Sequence, residues 1–366
     1  MRKFNWGILG TGFAARKFLL GLRASPGAQV LAIGSRTRER AEQFGKELGV
    51  SHMYGNYEEA VQDSEVDAFY VATPPAMHRA DAELCLRAGK PVLVEKPFAV
   101  TADESRALVE TARSCGVFCM EGMWTRFLPA IQRAKQIVDE GALGSPCLME
   151  GSFSSKVAFD ASHHLFNMSL GGGALLDRGV YLVSLAHYFL GAPKDVSSQT
   201  HLHESGVDEQ TIALLQYDQG AMANLTASFR TEAENDFVLM GTEARLKLHG
   251  PVFRPSRLSV DGVSAQTLTS ASTSSQKEAL LEGGVLQGLQ QRLPGLRPLA
   301  SRILRRSRRE SVYYSGNGYH HQAEEVARCI EAGQLESKIM PLSESISILE
   351  TIDQIRETWP RVDSQK

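Results

Sequence analysis

The segment FNWGILGTGFAARKFLLGLR at residues 4–23 decides the fold of the N-terminal part of this 366-residue chain. The apolar run at 4–9 predicts a short buried strand, and Gly10 and Gly12 predict a tight turn after it. Periodic apolar residues then predict a helix to about Arg23. A strand that passes through a glycine turn into a helix is the opening unit of a parallel, doubly wound α/β sheet.

The same rhythm continues after this opening unit. Four more apolar runs predict strands, at 29–34, 68–73, 91–97 and 117–122, and helical patterns separate them. Short strands that are almost wholly apolar are typical of a sheet with helices on both faces. The sequence therefore predicts an α/β Rossmann domain over residues 1–122.

The pattern changes after Gly122, and residues 123–366 are predicted to form a separate α+β domain. Period-two alternation predicts an open, mostly antiparallel sheet, with strands at 147–154, 195–203, 209–217, 221–229, 236–240 and 244–248. Helices are predicted at 129–139, 173–190, 319–332 and 343–357. The segment at about 264–310 begins rich in Ser and Thr and ends in a run of arginines, which indicates an atypical insertion.

Composition narrows the class of protein and of partner. Hydrophobic residues make up 43% of the chain and the net charge is -3, so no global charge favours nucleic acid or an anionic membrane. The arginine run at 302–309 leaves such a contact open, although a solvated insertion is favoured. No apolar run approaches the ~18 residues of a membrane span. Five scattered cysteines without a C-x-x-C pair, and no signal-peptide pattern, favour a cytoplasmic protein with free thiols.

The glycine turn predicts a dinucleotide site. Gly10 allows the tight turn, Gly12 lets the backbone approach a pyrophosphate, and Ala15 occupies the third glycine position of the G-x-G-x-x-G pattern. The helix N-terminus then offers free N–H groups to the phosphates. We expect the following loop residues to bind the cofactor: Gly10, Thr11, Gly12, Phe13 and Ala14.

The end of the second strand indicates which dinucleotide binds. Enzymes that use NAD usually carry Asp or Glu there, whereas this chain has Ser35 and Arg36, followed by Arg40. A guanidinium can hold the 2′-phosphate of NADP through charge-assisted hydrogen bonds. The alternative is that these arginines simply form the solvated first turn of a helix. The sequence favours NADP over NAD.

Four motifs in a fixed order resemble one family. They are Glu95-Lys96-Pro97, M-W-T-R-F at 123–127, G-G-G-A-L-L-D-R-G-V-Y at 171–181 and G-Y-H-H-Q-A-E-E-V-A-R-C at 318–329. Together they resemble the glucose–fructose oxidoreductase/inositol dehydrogenase (Gfo/Idh/MocA) family. The similarity is greatest to the branch that contains dimeric dihydrodiol dehydrogenase and NADP-dependent D-xylose dehydrogenase.

This resemblance implies an open-faced substrate domain and assigns site residues. It implies that Lys96, Asp177 and Tyr181 are catalytic. It also implies that the cofactor pocket includes the E-K-P loop, the T-P turn and the W-x-R segment. We expect these further cofactor residues: Thr73, Pro74, His78, Glu95, Lys96, Trp124 and Arg126.

Alcohol oxidation needs a group that takes the hydroxyl proton, and Tyr181 is the leading candidate. A neighbouring Lys96 ammonium and an oxidised nicotinamide are expected to lower the pKa of the phenol. Asp177 lies four residues earlier, on the same face of a helix, and could orient either Lys96 or a substrate hydroxyl. Taken singly, such a lysine is more often solvated and such a tyrosine more often a core residue.

The predicted substrate is a sugar, polyol or cyclic diol, and its expected contacts are Trp124, Phe153, His164 and Tyr181. Trp124 and Phe153 could equally be core residues. Arg178, His164 and Asn167 depart from the family pattern and leave the identity of the substrate open. An NADP-binding sensor without turnover is the alternative function.

Further partners follow from the same patterns. We expect no metal site, because the paired histidines have no Cys or carboxylate at ligand spacing. We expect neither nucleic acid nor membrane as partner. The open sheet face predicts a homodimer or homotetramer.

Overall fold

The N-terminal sheet contains six parallel strands in this computed structural model, which describes residues 2–262 and 307–359. The strands are β1 (Phe4–Leu9), β2 (Ala28–Gly34), β3 (His52–Tyr54), β4 (Ala68–Val71), β5 (Val92–Glu95) and β6 (Cys119–Gly122). The helices between them are α1 (Phe13–Leu22), α2 (Arg38–Leu48), α3 (Tyr57–Ala60), α4 (His78–Arg87) and α5 (Ala102–Cys115). The strand order is β3-β2-β1-β4-β5-β6, so the order reverses between β1 and β4. Ligands of such sheets bind at the carboxyl ends of the strands beside that reversal.

The second sheet contains eight strands and follows the change of pattern seen in the sequence. They are β7 (Pro146–Ser154), β8 (Asp195–Leu202), β9 (Asp208–Gln216), β10 (Met222–Ser228), β11 (Phe237–Gly241), β12 (Ala244–Leu248), β13 (Arg257–Gly262) and β14 (Ser307–Ser311). Their order is β14-β13-β12-β11-β7-β10-β9-β8. Among the described strands of this second sheet, only β7 and β10 pair in parallel, so the sheet is mixed and mostly antiparallel, as predicted.

Helices cover one face of this sheet and join it to the first domain. The helices are α6 (Pro129–Asp139), α7 (Val180–Leu190), α8 (Tyr319–Glu331) and α9 (Leu342–Glu357). Helix α7 is buried along almost its whole length and packs on β7. Helices α8 and α9 return to pack on α1 and α5. The two C-terminal helices therefore pack against the N-terminal domain, although they lie after residue 122 in the chain.

Three strands were not predicted from the periodicity of the sequence. Strand β3 has only three residues, and β13 and β14 lie at the far edge of the second sheet. Ser307–Ser311 reads S-R-R-E-S, which lacks apolar alternation, yet it pairs antiparallel with β13. The end of the predicted insertion is therefore part of the sheet, and residues 263–306 lie outside the described part.

No helix within the described ranges is long and apolar enough to cross a membrane. All five cysteines are free thiols. The cytoplasmic location stays a prediction.

Candidate active site

A cleft of about 1210 Å³ lies along the carboxyl ends of the first-sheet strands and extends to the second sheet. All the predicted cofactor, catalytic and substrate residues line it except Arg126. The two domains therefore bring together predicted site residues that are up to 171 positions apart in the chain, from Gly10 to Tyr181.

The glycine turn forms one end of this cleft. Gly10 has a φ of 107°, and a Cβ there would come within 2.7 Å of the Ala72 carbonyl oxygen. Apart from Gly12 and its two chain neighbours, no atom of residues 2–262 and 307–359 lies within 4 Å of the position that a Cβ on Gly12 would occupy, so the backbone is open to the cleft. Helix α1 has no side-chain cap and no acidic residue in its first turn. Its first N–H groups are thus available to a phosphate, which fits a dinucleotide.

The end of β2 carries the predicted NADP-selective residues. Ser35 is buried, whereas Arg36 and Arg40 are exposed and line the cleft. Neither arginine forms an ion pair with a residue of 2–262 or 307–359. Arg38, which lies between them, does pair, since its Nε is 3.1 Å from Glu42 Oε1. Arg36 is therefore free to bind an anion.

His78 supports the cofactor loops through backbone contacts. Its Nε2 lies 2.8 Å from the Thr73 carbonyl oxygen and its Nδ1 lies 2.7 Å from the Pro97 carbonyl oxygen. Burial lowers the pKa of His78 to about 4, so the neutral ring donates to one of these two carbonyls. The imidazole thereby joins the T-P turn to the E-K-P loop.

Lys96 and Asp177 form an ion pair at the other end of the cleft. Lys96 Nζ donates to Asp177 Oδ1 at 3.0 Å and to the Asp177 carbonyl oxygen at 2.8 Å. Burial alone would lower the pKa of Lys96, but its interactions with Asp177, Tyr181 and Glu95 together raise this pKa, and the net shift is upward. Burial alone would raise the pKa of Asp177, but the charge and hydrogen bond of Lys96, together with Arg178 and His164, lower this pKa, and the net shift is downward. Both groups are charged at neutral pH.

Tyr181 lies beside this pair and is a phenol in the structure. Its hydroxyl oxygen accepts a hydrogen bond from Trp124 Nε1 at 3.0 Å, and Lys96 Nζ lies 4.8 Å from the centre of its ring. Burial raises the pKa of Tyr181 to about 12, although Lys96 opposes the shift. Lys96 acts in the expected direction, but burial outweighs this one cation, and the lowering expected from Lys96 together with an oxidised nicotinamide stays a prediction.

A π-helical turn places Asp177 and Tyr181 together. Leu175–Gly179 forms this turn directly before α7. The Leu175 amide donates to the buried carboxylate of Asp208 at 2.7 Å, which fixes the start of the turn. The sequence predicted an ordinary helix here, and π-helical turns recur at functional sites.

Glu95 lies beneath Lys96 and is deeply buried. Burial raises the pKa of Glu95 to about 7. The hydroxyl of Tyr70 on β4 donates a hydrogen bond to its carboxylate. Tyr70 was not predicted as a site residue, because a tyrosine inside an apolar strand gives no signal beyond burial.

Aromatic side chains form the substrate end of the cleft. Phe153 stacks on Phe253 with ring centres 4.8 Å apart and meets Tyr181 edge-on at 5.6 Å. Trp124 stacks on Tyr319 at 4.7 Å. Phe253 and Tyr319 were missed, since they come from a loop and a helix start far along the chain. His164 lies exposed at the rim, and the Asn167 side chain caps its own short turn, where it accepts from the Ser169 amide.

The position of Arg126 contradicts the prediction that it lines the cofactor pocket. Its side chain is fully buried, donates from Nε to Ser184 Oγ at 2.8 Å and pairs with Glu344 at 2.8 Å. The guanidinium is thus bonded within the protein interior and does not line the cleft. The W-x-R pattern correctly placed Trp124 in the cleft but not the arginine two residues later, whose side chain turns toward α7 and α9.

A histidine pair adjoins the site on α8. His320, His321 and Glu324 have ligand atoms within 4.8 Å of one another, all within one turn of that helix. The two rings are tilted by 40° to each other, with centres 4.0 Å apart. The absence of a metal site stays a prediction.

Comparison with known proteins agrees with this geometry. Residues 4–123 match the GFO_IDH_MocA family model, described as an oxidoreductase family with an NAD-binding Rossmann fold, and residues 131–247 match its C-terminal domain model. The chain is 31% identical over 357 residues to trans-1,2-dihydrobenzene-1,2-diol dehydrogenase of Bos taurus, with 96% of each chain covered. It is 30% identical to the same enzyme of Homo sapiens, again over 96% of each chain.

Solved structures share the fold. Aldose-aldose oxidoreductase from Caulobacter crescentus, complexed with glycerol, superposes with a TM-score of 0.78 at 22% identity, covering 98% of this chain and 97% of that one. Levoglucosan dehydrogenase, in complex with NADH and levoglucosan, gives a TM-score of 0.80 at 20% identity, with the same coverage. At these identities the similarity establishes the arrangement of the two domains and no more.

Proposed function

This chain belongs to the Gfo/Idh/MocA family of oxidoreductases, and from that premise we propose that it is an NADP-dependent dehydrogenase of a sugar, polyol or cyclic diol. One observation carries the proposal. The Lys96–Asp177 ion pair and the Tyr181 hydroxyl lie at the far end of the cleft whose near end is the glycine turn. A substrate bound between them would have its oxygen beside proton-handling groups.

The choice of NADP is supported by the end of β2. Arg36 is exposed to the cleft and unpaired within the described residues, and Ser35 stands where an NAD enzyme usually carries a carboxylate. The glycine turn and the uncapped start of α1 would hold the pyrophosphate. When bound, the nicotinamide supplies or accepts the hydride.

The residues of this chain manage the proton and the charge on the substrate oxygen. In the direction of reduction, the Tyr181 phenol, with its pKa near 12, is protonated and can donate to the carbonyl oxygen. The Lys96 ammonium donates a second hydrogen bond to that oxygen as negative charge develops on it. Asp177 holds Lys96 in place with two contacts from one residue.

The direction of oxidation requires the phenol to lose its proton. The Trp124 N–H donates to the Tyr181 oxygen, and Lys96 places a positive charge near the ring, so both favour the phenolate. The positive charge of an oxidised nicotinamide would add to this effect. The aromatic wall made by Phe153 and Phe253 would receive one apolar face of a ring-shaped substrate.

A substrate screen tests the proposal. The purified protein is mixed with NADP or NAD and with sugars, polyols and trans-dihydrodiols, and absorbance at 340 nm reports the reduced cofactor. We expect turnover with at least one class and a lower KM for NADP than for NAD. Tight NADP binding without turnover of any compound would instead favour a sensor.

The open face of the second sheet supports a proposal of self-association, as a homodimer or homotetramer. Ile212, Leu214 and Met222 project from this face with exposures of 40%, 54% and 55%. Neighbouring apolar side chains on an uncovered sheet face favour burial against a second copy. Light scattering should give a dimeric or larger mass, and Leu214→Glu should reduce it to the monomer. A monomeric wild-type protein at micromolar concentration would contradict the proposal.

A further inference from the structure

Arg178 is a buried cation directly behind the reaction centre. The proposed mechanism assigns it no role. It follows Asp177 in the π-helical turn, and its side chain is only 7% exposed. It does not line the cleft. Burying a guanidinium is costly unless its donors are satisfied, so its contacts indicate what it does.

The first set of contacts joins the ends of two strands. Arg178 Nη1 donates to the Ser155 carbonyl oxygen at 2.6 Å and also to the Ser228 carbonyl oxygen. Ser228 ends β10, and Ser155 directly follows β7. These are the two parallel strands of the second sheet, and both lie in its interior rather than at an edge. The guanidinium thus fixes the separation of the strand ends nearest the cleft.

The second set of contacts joins Arg178 to the Asp177 carboxylate and to aromatic side chains at the reaction centre. Arg178 Nε lies 3.8 Å from Asp177 Oδ2, on the carboxylate oxygen that Lys96 does not bond. The guanidinium also lies 5.4 Å from the centre of the Phe153 ring and 4.5 Å from that of Phe229. Phe153 is therefore held between Arg178 and Phe253.

We propose that Arg178 is a positioning residue that acts through Asp177 and Phe153, keeping the carboxylate ionised toward Lys96 and the aromatic wall fixed. This inference rests on the proposed dehydrogenase function. Lys96, Asp177 and Arg178 together carry one net positive charge, which suits a centre that must stabilise a developing substrate oxyanion. Without the Arg178 charge, the charges of Lys96 and Asp177 would cancel.

Several other groups face Asp177 and must be counted in any pH effect. They come from the E-K-P loop, the segment before the π-helical turn, α7 and α8, and are Lys96, Glu95, His164, Tyr181 and Tyr319. Lys96 is the strongest of the groups that lower the pKa of Asp177, and Arg178 and His164 act in the same direction. Removing Arg178 leaves Lys96 in place, so the expected change is an upward shift rather than loss of ionisation.

The test compares Arg178→Met with Arg178→Lys, and Arg230→Met serves as the control on an exposed arginine nearby. In Arg178→Met, the pKa of Asp177 should rise, because a neighbouring cation is lost. Its ¹³C carboxyl resonance, assigned by its loss in Asp177→Asn, reports this without turnover. The acid limb of the kcat profile should shift with it, and kcat should fall about tenfold. NADP affinity should stay within about twofold, because Arg178 lies outside the cleft.

Arg178→Lys separates charge from geometry. It retains a cation beside Asp177, but an ammonium cannot reproduce the planar contact with two carbonyls and two rings. The acid limb of the kcat–pH profile should stay as in the wild type, while KM for the substrate rises. If Arg178→Met does not fold, the KM of Arg178→Lys decides the matter, and an unchanged KM overturns the proposal.

An unchanged Asp177 titration in folded Arg178→Met would also overturn it. Failure of the proposed function is recognised separately. A wild-type protein that turns over no substrate would contradict that function, while the carboxyl titration would still report whether Arg178 acts on Asp177.

Discussion

The two ends of the cleft use basic side chains in opposite ways. Arg36, at the cofactor end, is exposed and unpaired among the described residues, whereas Lys96, at the reaction end, is 12% exposed and held by Asp177. An exposed guanidinium binds a ligand phosphate at little cost to the folded protein, and water screens it until the ligand arrives. A buried ammonium acts strongly on a substrate but needs a carboxylate to keep it charged. Cofactor selectivity at the cofactor end therefore depends on one exposed side chain. Catalysis at the reaction end depends on several buried groups at once.

Lys96→Met should produce the largest effect and would sharpen this comparison. Removing the ammonium leaves the Asp177 carboxylate buried without its main partner and deprives the substrate oxygen of a donor. We expect kcat to fall about 10³-fold, with NADP affinity retained. Lys194→Met, on an exposed lysine paired with Asp218, is the matched control and should be neutral. Near-normal turnover of Lys96→Met would remove Lys96 from the mechanism.

Tyr181→Phe should have the next largest effect, with kcat falling about 10²-fold. The ring and its packing on Phe153 remain, so the loss is confined to the hydroxyl. Tyr188→Phe makes the same change on the same helix outside the cleft and should leave kcat unchanged. Equal rates for the two variants would show that another group, or water, carries the proton.

The pH dependence tests the state of the same hydroxyl. Because burial raises the pKa of Tyr181 to about 12, the phenol is protonated through neutral pH in the free protein. Reduction uses the phenol and should be insensitive to its titration through neutral pH, whereas oxidation uses the phenolate. The oxidation rate should rise about tenfold per pH unit below the pKa of the complex. Tyr181→Phe should abolish this slope, and a flat wild-type oxidation profile would contradict the assignment.

Arg36→Ser should give the smallest change and isolates the cofactor end. Loss of a charge-assisted hydrogen bond should weaken NADP binding about tenfold, leaving the Kd for NAD unchanged. Arg38→Ser, two residues on but paired with Glu42, is the control and should not alter selectivity. If both cofactors weaken equally, the arginine contributes general attraction rather than recognition of the 2′-phosphate.

The contrast also explains which expectations failed. Arg126 and Arg36 are the same residue type, both assigned to the cofactor from sequence, yet Arg126 pairs with Glu344 in the interior. Glu344 lies 218 residues away, and local pattern carries no information about such a partner. The pKa of Tyr181 likewise depends on residues far away in the chain. The cation near it was foreseen, but the burial that outweighs that cation depends on Trp124, Phe153 and Phe253.

Local sequence determined the features that depend on neighbours in the chain. Apolar runs and glycine spacing gave the parallel sheet, the turn at Gly10 and Gly12 and most of the second sheet, because strand and helix periodicities are set by backbone geometry. Strand β14 was missed since an edge strand need not alternate. The four motifs indicated Lys96, Asp177 and Tyr181, but only through resemblance to a family.

Tertiary structure alone decided how these groups meet. It placed Lys96 3.0 Å from Asp177, raised the pKa of Tyr181 and set Arg178 behind the reaction centre with two strand ends as its partners. Each of these results depends on distance and on exclusion of water between residues far apart in the chain. Electrostatic effects vary steeply with both quantities, and neither can be read from the order of the residues.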